Sequence, residues 1–388
     1  MNKRRFFEFF AGGGMARAGL ESQWECAFAN DFSLMKAQAY CANWGSEDFR
    51  LEDINSLTAL DLPGYADLAW ASFPCQDLSL AGAAAGLGTR SRQTRSGTFW
   101  AFWNLLGALA EQGRAPALVV LENVYGAITT NQGREFRTIC TAMIEQGYRI
   151  GALVIDASLF VPHSRPRLFF VCVRNDHDVP GHLLSDGPDT QWHPVSLQAA
   201  VLALGEAELE NWVWLTTAKP SPLQTSLDQI VEDEPDDVVW HSKTETADLV
   251  AKMSPVNLSK LARMKSSFAV RHGTIYRRTR SAPAGRSPVR AELRDDGIAG
   301  CLRTPGGGSS RQFLLRVQGD SVRSRLLSGR EAARLMGLPD CYRLPPRYND
   351  AYHVMGDGVV VPVVRFVNEA FLQPILLANE LPLLEAAE

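Results

Sequence analysis

Strand-like and helix-like segments alternate over the first 175 residues, and this alternation restricts the fold more than any other feature of the chain. The runs FFEFF, LAWASF and LVVLENV are typical of buried strands, and GTFWAFWNLLGALAEQ and GREFRTICTAMIEQGY are typical of the helices between strands. Continuous apolar strands separated by helices indicate a parallel sheet covered on both faces. We therefore expect an α/β fold built on a mostly parallel sheet.

The periodic pattern fades at about residues 175–190, where proline, glycine, aspartate and tryptophan become frequent. Helical pattern returns in SGREAARLMGL and in the apolar run from Val359 to Leu377. We expect residues 1–180 to form one domain and residues 181–325 to form a second, smaller, irregular and β-rich domain. Residues 326–388 are expected to return to the first domain and to contain a closing helix.

Charge is unevenly distributed, although the net charge of the whole chain is only −4. Residues 201–259 carry 11 acidic and 3 basic side chains, whereas residues 260–330, the basic block, carry 16 basic and 4 acidic ones. Because so few acidic side chains cannot pair with all the basic ones, part of the block is available to a polyanion. We expect a nucleic acid to bind there.

Cysteine and apolar patterning exclude several classes of protein. The seven cysteines are scattered and form no C-x-x-C pair, which argues against a disulfide framework and a structural zinc site. No run of about 18 uncharged apolar residues occurs, so we expect neither a transmembrane helix nor a membrane partner. Glu8 interrupts the apolar N-terminal segment, which argues against a signal peptide. We expect no metal ion and a cytoplasmic location.

Two reactive side chains follow predicted strands. Cys75 comes after the run LAWASFP, where Pro74 stiffens the turn, and Glu122 closes the run LVVLE. In open parallel sheets, ligands bind at the carboxyl ends of the strands. Either residue alone is more often a buried structural group, but a thiol and a carboxyl group at the same edge predict a reactive site.

A glycine turn is predicted at the same edge. Gly12 and Gly14 directly follow the first strand, and Asp31 closes the second. Glycine lets a backbone turn tightly and approach a ligand, and a carboxylate in this position can accept hydrogen bonds from ribose hydroxyls. Arg17 stands where the dinucleotide fingerprint has its third glycine. The pattern favours a nucleoside-containing cofactor without a pyrophosphate, with an ordinary turn as the alternative.

A pair of arginines precedes another apolar strand in HSRPRLFFV. Because side chains alternate along a strand, Arg165 and Arg167 share one face. One guanidinium can bind a carbonyl oxygen of a ligand while the other braces a carboxylate. Two surface arginines at the start of a strand are the alternative interpretation.

Together these motifs resemble those of the DNA (cytosine-5) methyltransferases. FFAGGG, PCQDLSLAG, LENV and HSRPRLFFV occur in that family's order, and LLSGREAARLMGLPDCY and GDGVVVPVV look like its two C-terminal motifs. The resemblance covers about residues 4–175 and 320–370. It implies a Rossmann-like, S-adenosylmethionine-dependent fold with a catalytic domain (1–180), a target recognition domain (181–325) and a C-terminal return (326–388).

The resemblance also implies an activity and residue roles. The activity is methyl transfer from S-adenosylmethionine to carbon 5 of a cytosine flipped out of a specific sequence in double-stranded DNA, through a covalent cysteine–cytosine adduct. The implied catalytic residues are Cys75 as nucleophile, Glu122 on ring nitrogen 3, Arg165 on the carbonyl at position 2, and Arg167. The implied cofactor residues are Phe10, Gly12, Gly14, Asp31, Asp53, Pro74 and Asp357. The implied DNA contacts in the loop after the nucleophile are Ser79, Arg90, Arg92 and Arg95.

Two positions depart from the family pattern. His163 stands where the family usually has glutamine, and Asp357 where it usually has asparagine. Neither change removes a catalytic group, although an added carboxylate at Asp357 can alter cofactor affinity.

Three other functions are weighed against this one. RNA cytosine-5 methylation is less favoured because the middle region is large and basic. A catalytically inactive DNA-binding protein is less favoured because Cys75, Glu122 and Arg165 are all present. A nicotinamide-dependent oxidoreductase is disfavoured by Arg17. We expect a bacterial or phage protein that acts as a monomer on nucleoid DNA, either with a cognate restriction endonuclease as a partner or without one.

Overall fold

The structure is a computed structural model that describes residues 3–74, 98–279, 289–304 and 311–385. The chain divides into two compact units. The first unit comprises Met1–Ile155, Pro166–Lys219 and Val363–Glu388, and the second comprises Asp156–Arg165 and Pro220–Pro362.

The first unit is built on a seven-stranded sheet accompanied by a two-stranded one. Its strands are β1 (Arg4–Phe9), β2 (Trp24–Asp31), β3 (Phe49–Leu51), β4 (Leu68–Ala71), β5 (Leu118–Val124), β6 (Tyr148–Asp156), β7 (Pro166–Arg174), β8 (Leu184–Ser185) and β9 (Trp214–Leu215). The order in the large sheet is β3-β2-β1-β4-β5-β7-β6, and β8 pairs with β9. Strands β1 to β5 pair in parallel, so their carboxyl ends share one edge.

Strand β7 runs antiparallel to β5. A parallel connection needs a crossover of about a dozen residues or more, whereas β6 and β7 are joined only by residues 157–165. The reversal places the beginning of β7 beside the end of β5. The mostly parallel sheet expected from the sequence is confirmed, with this reversal as the feature that apolar patterning does not reveal.

Helices pack against the sheet of the first unit. They are α1 (Met15–Leu20), α2 (Leu34–Trp44), α3 (Thr98–Glu111), α4 (Arg134–Glu145), α5 (Val195–Leu202) and α6 (Glu206–Glu210). Helix α4 shows why they form: Phe136, Ile139, Cys140 and Met143 follow helical spacing and are fully buried. Their burial, together with that of the apolar strands, forms the main core.

The second unit contains a four-stranded antiparallel sheet. Its strands are β10 (Arg271–Thr279), β11 (Val289–Arg294), β12 (Phe313–Gln318) and β13 (Ser321–Leu326), in the order β11-β10-β12-β13. Its helices are α7 (Leu227–Ile230), α8 (Lys243–Ala251), α9 (Pro255–Lys265), α10 (Gly329–Leu335) and α11 (Tyr348–Asp357). One sheet face packs on apolar side chains of α8 and α9. This unit confirms the separate β-rich domain in the expected fold class.

The C-terminal segment is helical. It consists of α12 (Val361–Val367), a π-helical turn (Asn368–Leu372) and α13 (Gln373–Glu385). Within the first unit, Asn368 Oδ1 accepts the indole N–H of Trp24 at 2.9 Å. Among the described residues, the run Tyr348–Glu380 is long and apolar enough to span a membrane, but 61% of its most apolar window is buried in the protein. Such burial is typical of a core helix.

Candidate active site

The glycine turn after β1 has a strained, open backbone. Phe10, Gly12 and Gly14 have φ of 58°, 57° and 77°, in the region that favours glycine. A Cβ at Gly14 would lie 2.2 Å from Nε1 of Trp44, so glycine is needed there for close packing. A Cβ at Gly12 would meet no atom of the described residues within 4 Å, so among them the space above this turn is open.

Asp31 fixes the turn from the end of β2. Its side chain is 4% exposed, and its two oxygens accept the backbone N–H groups of Gly12 at 3.0 Å and Ser33 at 2.9 Å. The neighbouring Phe32 is 68% exposed. An aromatic ring in solvent beside an open glycine turn offers a stacking surface for a flat ligand. Phe32 is not among the cofactor residues expected from the sequence. The signal for it is an aromatic residue directly after the acidic end of a strand, as in Asp31-Phe32.

Two other expected cofactor residues lie in loops of the first unit. Asp53 caps the turn Ile54–Ser56 by accepting the backbone N–H of Asn55 at 2.9 Å, and it is exposed. Pro74 is half-buried at the end of the described stretch that follows β4. Cys75, Ser79, Arg90, Arg92 and Arg95 lie outside the described residues, so their expected roles stay predictions.

A buried cluster of polar side chains lies under the glycine turn. Glu8 on β1 is 1% exposed, and one of its oxygens lies 3.4 Å from the backbone nitrogen of Arg17. The Arg17 guanidinium instead donates to the hydroxyl of Tyr40 at 3.0 Å. Burial raises the pKa of Glu8 to about 8, and it raises the pKa of the neighbouring Cys26 thiol to about 12. Glu8 is therefore mostly a neutral acid at pH 7.

Glu122 is paired with Arg167 where β5 ends in the first unit. Glu122 Oε1 lies 3.1 Å from Arg167 Nε, and the two side chains are 8% and 14% exposed. The adjacent Asn123 is 2% exposed and donates to the carbonyl of Phe73 at 3.3 Å. This bond ties the end of β5 to the segment that leads through Pro74 to the cysteine. The sequence motifs gave no signal for this role of Asn123, because the bond joins residues 50 positions apart.

Arg165 belongs to the second unit and is 2% exposed. Its guanidinium donates to the carbonyl oxygens of Leu302 at 2.7 Å and of Gly356 and Gly358, both at 2.8 Å. It therefore clamps the backbone on either side of Asp357. These contacts do not favour the expectation that Arg165 holds a ligand carbonyl, and Arg167 is the arginine that meets Glu122.

His163 explains one departure from the family pattern. Its Nε2 accepts the backbone N–H of Leu302 at 3.0 Å, and its Nδ1 lies 3.1 Å from the carbonyl oxygen of Leu335. The ring thus acts as one acceptor and one donor, as a glutamine amide can. Burial lowers the pKa of His163, which keeps the neutral ring that this arrangement needs.

Asp357 ends helix α11 between two glycines. Its side chain accepts a hydrogen bond from the Thr304 hydroxyl and lies 3.4 Å from Nε2 of His353. A Cβ at Gly356 would lie 2.7 Å from the backbone nitrogen of Thr304, so glycine permits this close approach. The carboxylate is thus held by the segment that Arg165 and His163 also hold.

The residues of the first unit fit S-adenosylmethionine. The carboxyl ends of β1 to β3 are surrounded by the open space at Gly12, the exposed ring of Phe32 and the exposed carboxylate of Asp53. No group of three metal-ligating side chains occurs among the described residues. This fold and this edge are those of an S-adenosylmethionine-dependent methyltransferase.

Comparison with known proteins identifies the family. The profile of the C-5 cytosine-specific DNA methylases matches residues 4–373, and the chain belongs to that family. It is 26% identical to the type II methyltransferase M.HhaI of Haemophilus parahaemolyticus, over 94% of this chain and 92% of that one. It is 25% identical to the type II methyltransferase M.NlaX of Neisseria lactamica, over 94% and 95% of the two chains. The activity expected from the sequence, DNA cytosine-5 methylation with S-adenosylmethionine, is confirmed.

Solved structures agree at the level of the fold. The Dnmt2 methyltransferase of S. pombe superposes with a TM-score of 0.59 at 16% identity, over 96% of this chain and 99% of that one. The Entamoeba histolytica methyltransferase EhMeth gives a TM-score of 0.60 at 12% identity, over 95% and 98%.

Proposed function

We propose that Cys75 and Glu122 methylate cytosine through a covalent adduct, with Arg167 as the partner of Glu122. The observation that carries this assignment is the buried Glu122–Arg167 pair, 3.1 Å apart at the end of β5. Bound S-adenosylmethionine supplies an electrophilic methyl group on a sulfonium sulfur. Phe10, Phe32 and the glycine turn would hold its adenosine, with Asp31 and Asp53 as acceptors for its ribose and adenine groups.

The protein side chains activate the pyrimidine. The Cys75 thiolate adds to carbon 6, which makes carbon 5 nucleophilic. Glu122 contacts ring nitrogen 3 and the exocyclic amine, where charge develops on addition. Loss of the carbon-5 proton after methylation then lets Cys75 leave by elimination. Asn123 supports the geometry because its bond to the Phe73 carbonyl anchors the chain two residues before Cys75.

Arg167 takes the role that the sequence assigned to Arg165. The planar Arg167 guanidinium orients the Glu122 carboxyl and can donate to the carbonyl at position 2 of cytosine. Arg165 acts as a positioning residue, because its donors hold the carbonyls of Leu302, Gly356 and Gly358. We retain Asp357 as the residue nearest the methionine end of the cofactor, with His353 Nε2 3.4 Å from its carboxylate.

The DNA contacts are assigned by domain. Residues 1–180 catalyse, residues 181–325 recognise the target, and residues 326–388 complete the catalytic domain. The loop after Cys75 contacts the DNA through Ser79, Arg90, Arg92 and Arg95 once the cytosine is flipped out. Flipping the base costs a few kcal/mol. We further propose action as a monomer in the bacterial or phage-infected cytoplasm, with or without a cognate endonuclease.

A labelling experiment tests the chemistry. The protein is incubated with radiolabelled S-adenosylmethionine and either duplex DNA or tRNA, alongside Cys75→Ala. We expect label in DNA with the parent chain alone, and a denaturation-resistant adduct on DNA containing 5-fluorocytosine, which has no carbon-5 proton to lose. Label in tRNA alone would favour RNA methylation, and DNA binding without label would favour an inactive binder. DNA methylation without the adduct would refute the covalent mechanism.

A further inference from the structure

The four-stranded sheet of the second unit has one apolar face and one cationic face. Ile275, Ala291 and Leu315 belong to the core that packs on α8 and α9. Because side chains alternate along each strand, the residues between them point to the other face. That face carries Tyr276 and Arg278 on β10, Arg290 on β11, Arg316 on β12 and Arg323 on β13.

Like charges are directly opposed on the cationic face. The strand register pairs Arg278 with Arg290 and Arg316 with Arg323. Directly opposed like charges destabilise a sheet. Arg278 and Arg290 are exposed, and no salt bridge or hydrogen bond to a described residue engages either guanidinium. Glu292, which the register places opposite Tyr276, is the one acidic residue among the described strand residues of this face. The face therefore keeps an excess of positive charge, as a polyanion-binding surface requires.

Arg278 of this face and Arg303, which lies between β11 and β12, share one aromatic ring. The guanidinium carbon of Arg303 lies 5.5 Å from the centroid of the Tyr276 ring, and that of Arg278 lies 5.8 Å from it. Cation–π contact restricts the side chains while leaving the N–H donors of the guanidinium groups available at the ring edge. We call Arg278, Tyr276 and Arg303 the arginine–tyrosine cluster.

The backbone that carries Arg303 is held firmly. The preceding Leu302 gives its N–H to His163 and its carbonyl oxygen to Arg165. The following Thr304 donates its hydroxyl to Asp357. Arg303 therefore projects from a fixed segment of the second unit, beside the glycines that flank Asp357. Because its backbone is held, the Arg303 guanidinium loses little conformational entropy when its N–H groups form a pair of hydrogen bonds.

We propose that the arginine–tyrosine cluster determines part of the DNA recognition sequence, with Arg303 reading a guanine and Arg278 binding a backbone phosphate. Paired donation to O6 and N7 of guanine is the commonest specific arginine contact to a base. Arg303 is half-buried and fixed, which suits base reading, whereas Arg278 is exposed, which suits a phosphate. The inference rests on the proposed DNA methylation.

Sequencing of methylated sites tests the base contact. The recognition sequence of the parent chain is first mapped by bisulfite sequencing of a methylated random library. Arg303→Ala is expected to relax one guanine position, with discrimination against the other bases falling roughly 10- to 100-fold. Arg303→Lys keeps the positive charge but lacks the paired N–H donors of a guanidinium. This variant should keep most of the DNA affinity and still lose discrimination at that guanine position. An unchanged recognition sequence in both variants would overturn the assignment.

Salt dependence tests the phosphate contact. For Arg278→Ala we expect weaker binding to all sequences, and a slope of log affinity against log salt that is shallower by about 1. The matched control is Arg271→Ala, which removes an exposed arginine from the other end of the same strand. Equal changes in both variants would show a diffuse charge effect and refute the contact.

Methylation of duplex DNA by the parent chain distinguishes a failure of the cluster assignment from a failure of the proposed function. If the parent chain methylates duplex DNA and the variants keep its specificity, the cluster assignment alone fails. If it methylates no DNA, both fail together.

Discussion

Arg167 and Glu122 meet diagonally across two antiparallel strands, with Nε and Oε1 3.1 Å apart. The register pairs Val124 with Arg167 and Glu122 with Phe169, so both charged side chains project on one face of the sheet. The pair is therefore fixed by the ladder of backbone hydrogen bonds rather than by a loop. Its geometry is prepared before any substrate binds.

Removing Arg167 should impair chemistry more than folding. We expect Arg167→Ala to lower kcat for DNA methylation by about 10²- to 10³-fold, because a prepared donor at the site of developing charge is lost. The measurement is single-turnover methylation of duplex DNA, together with urea unfolding. Arg174→Ala is the control: this arginine lies at the other end of β7, where it pairs with Asp176. Equal kcat in the two variants would contradict the role of Arg167.

His163 predicts a loss of stability in acid. Its pKa is lowered in the folded protein, so the unfolded chain binds its proton first. The stability it contributes is complete above the unfolded pKa of about 6.5 and declines as the pH falls below that value. We expect urea unfolding at pH 7.5 and 5.0 to show a smaller decline for His163→Gln than for the parent.

A leucine at the same position separates hydrogen bonding from titration. His163→Leu leaves the Leu302 N–H and the Leu335 carbonyl without this partner, which should cost about 1–3 kcal/mol at both pH values. If glutamine and leucine destabilise the protein equally, the hydrogen bonds are not the reason for a histidine here.

Glu8 predicts the opposite dependence on pH. Its pKa is raised from 4.5 to about 8 in the folded protein, so the folded state keeps a proton that the unfolded chain releases. Its contribution is complete below pH 4.5 and is lost as the pH rises through about 8. Relative to Glu8→Gln, the parent should therefore lose stability between pH 5 and pH 8, as followed by urea unfolding. Parallel stability profiles would show that Glu8 is ionised throughout this range.

Gly12 predicts a specific effect on cofactor binding. An alanine there is strained by the positive φ of 57° and would place its Cβ in the open space above the turn. We expect Gly12→Ala to weaken S-adenosylmethionine binding in calorimetric titrations by at least about tenfold. Gly113→Ala is the matched control, since its φ is 68° and its Cβ would likewise meet no atom within 4 Å in the described part of the chain. Gly113 lies after α3 rather than in the glycine turn. Equal cofactor affinities in the two variants would remove Gly12 from the site.

Much of the first unit could be predicted from the sequence because its signals are local. Long apolar runs and helical spacing mark β1, β5 and α4, and the motifs place Glu122 at the end of a strand. The reversal of β7 could not be read from the same pattern, because a strand buried on both faces looks alike in either direction. Pairing with β5 and the short connection from β6 decide that direction.

The partners of the two arginines also needed tertiary structure. Alternation puts Arg165 and Arg167 on one face but does not say what each guanidinium meets. The carbonyls that hold Arg165 belong to residues 137 to 193 positions later in the chain. No local pattern links such distant residues. Nor does a local pattern show that Arg278 and Arg303 both contact the ring of Tyr276.

The two separate chain segments of the second unit limit how it can be exchanged between relatives. A graft of Pro220–Pro362 alone would bring in the Leu302, Gly356 and Gly358 backbone without Asp156–Arg165, the short excursion that supplies His163 and Arg165. Chimaeras that aim to transplant target specificity must therefore carry both stretches from the same parent. If only the longer stretch is exchanged, His163 and Arg165 come from one parent and the backbone that they hold comes from the other. We expect such a chimaera to fold poorly, whichever side chains it presents to the DNA.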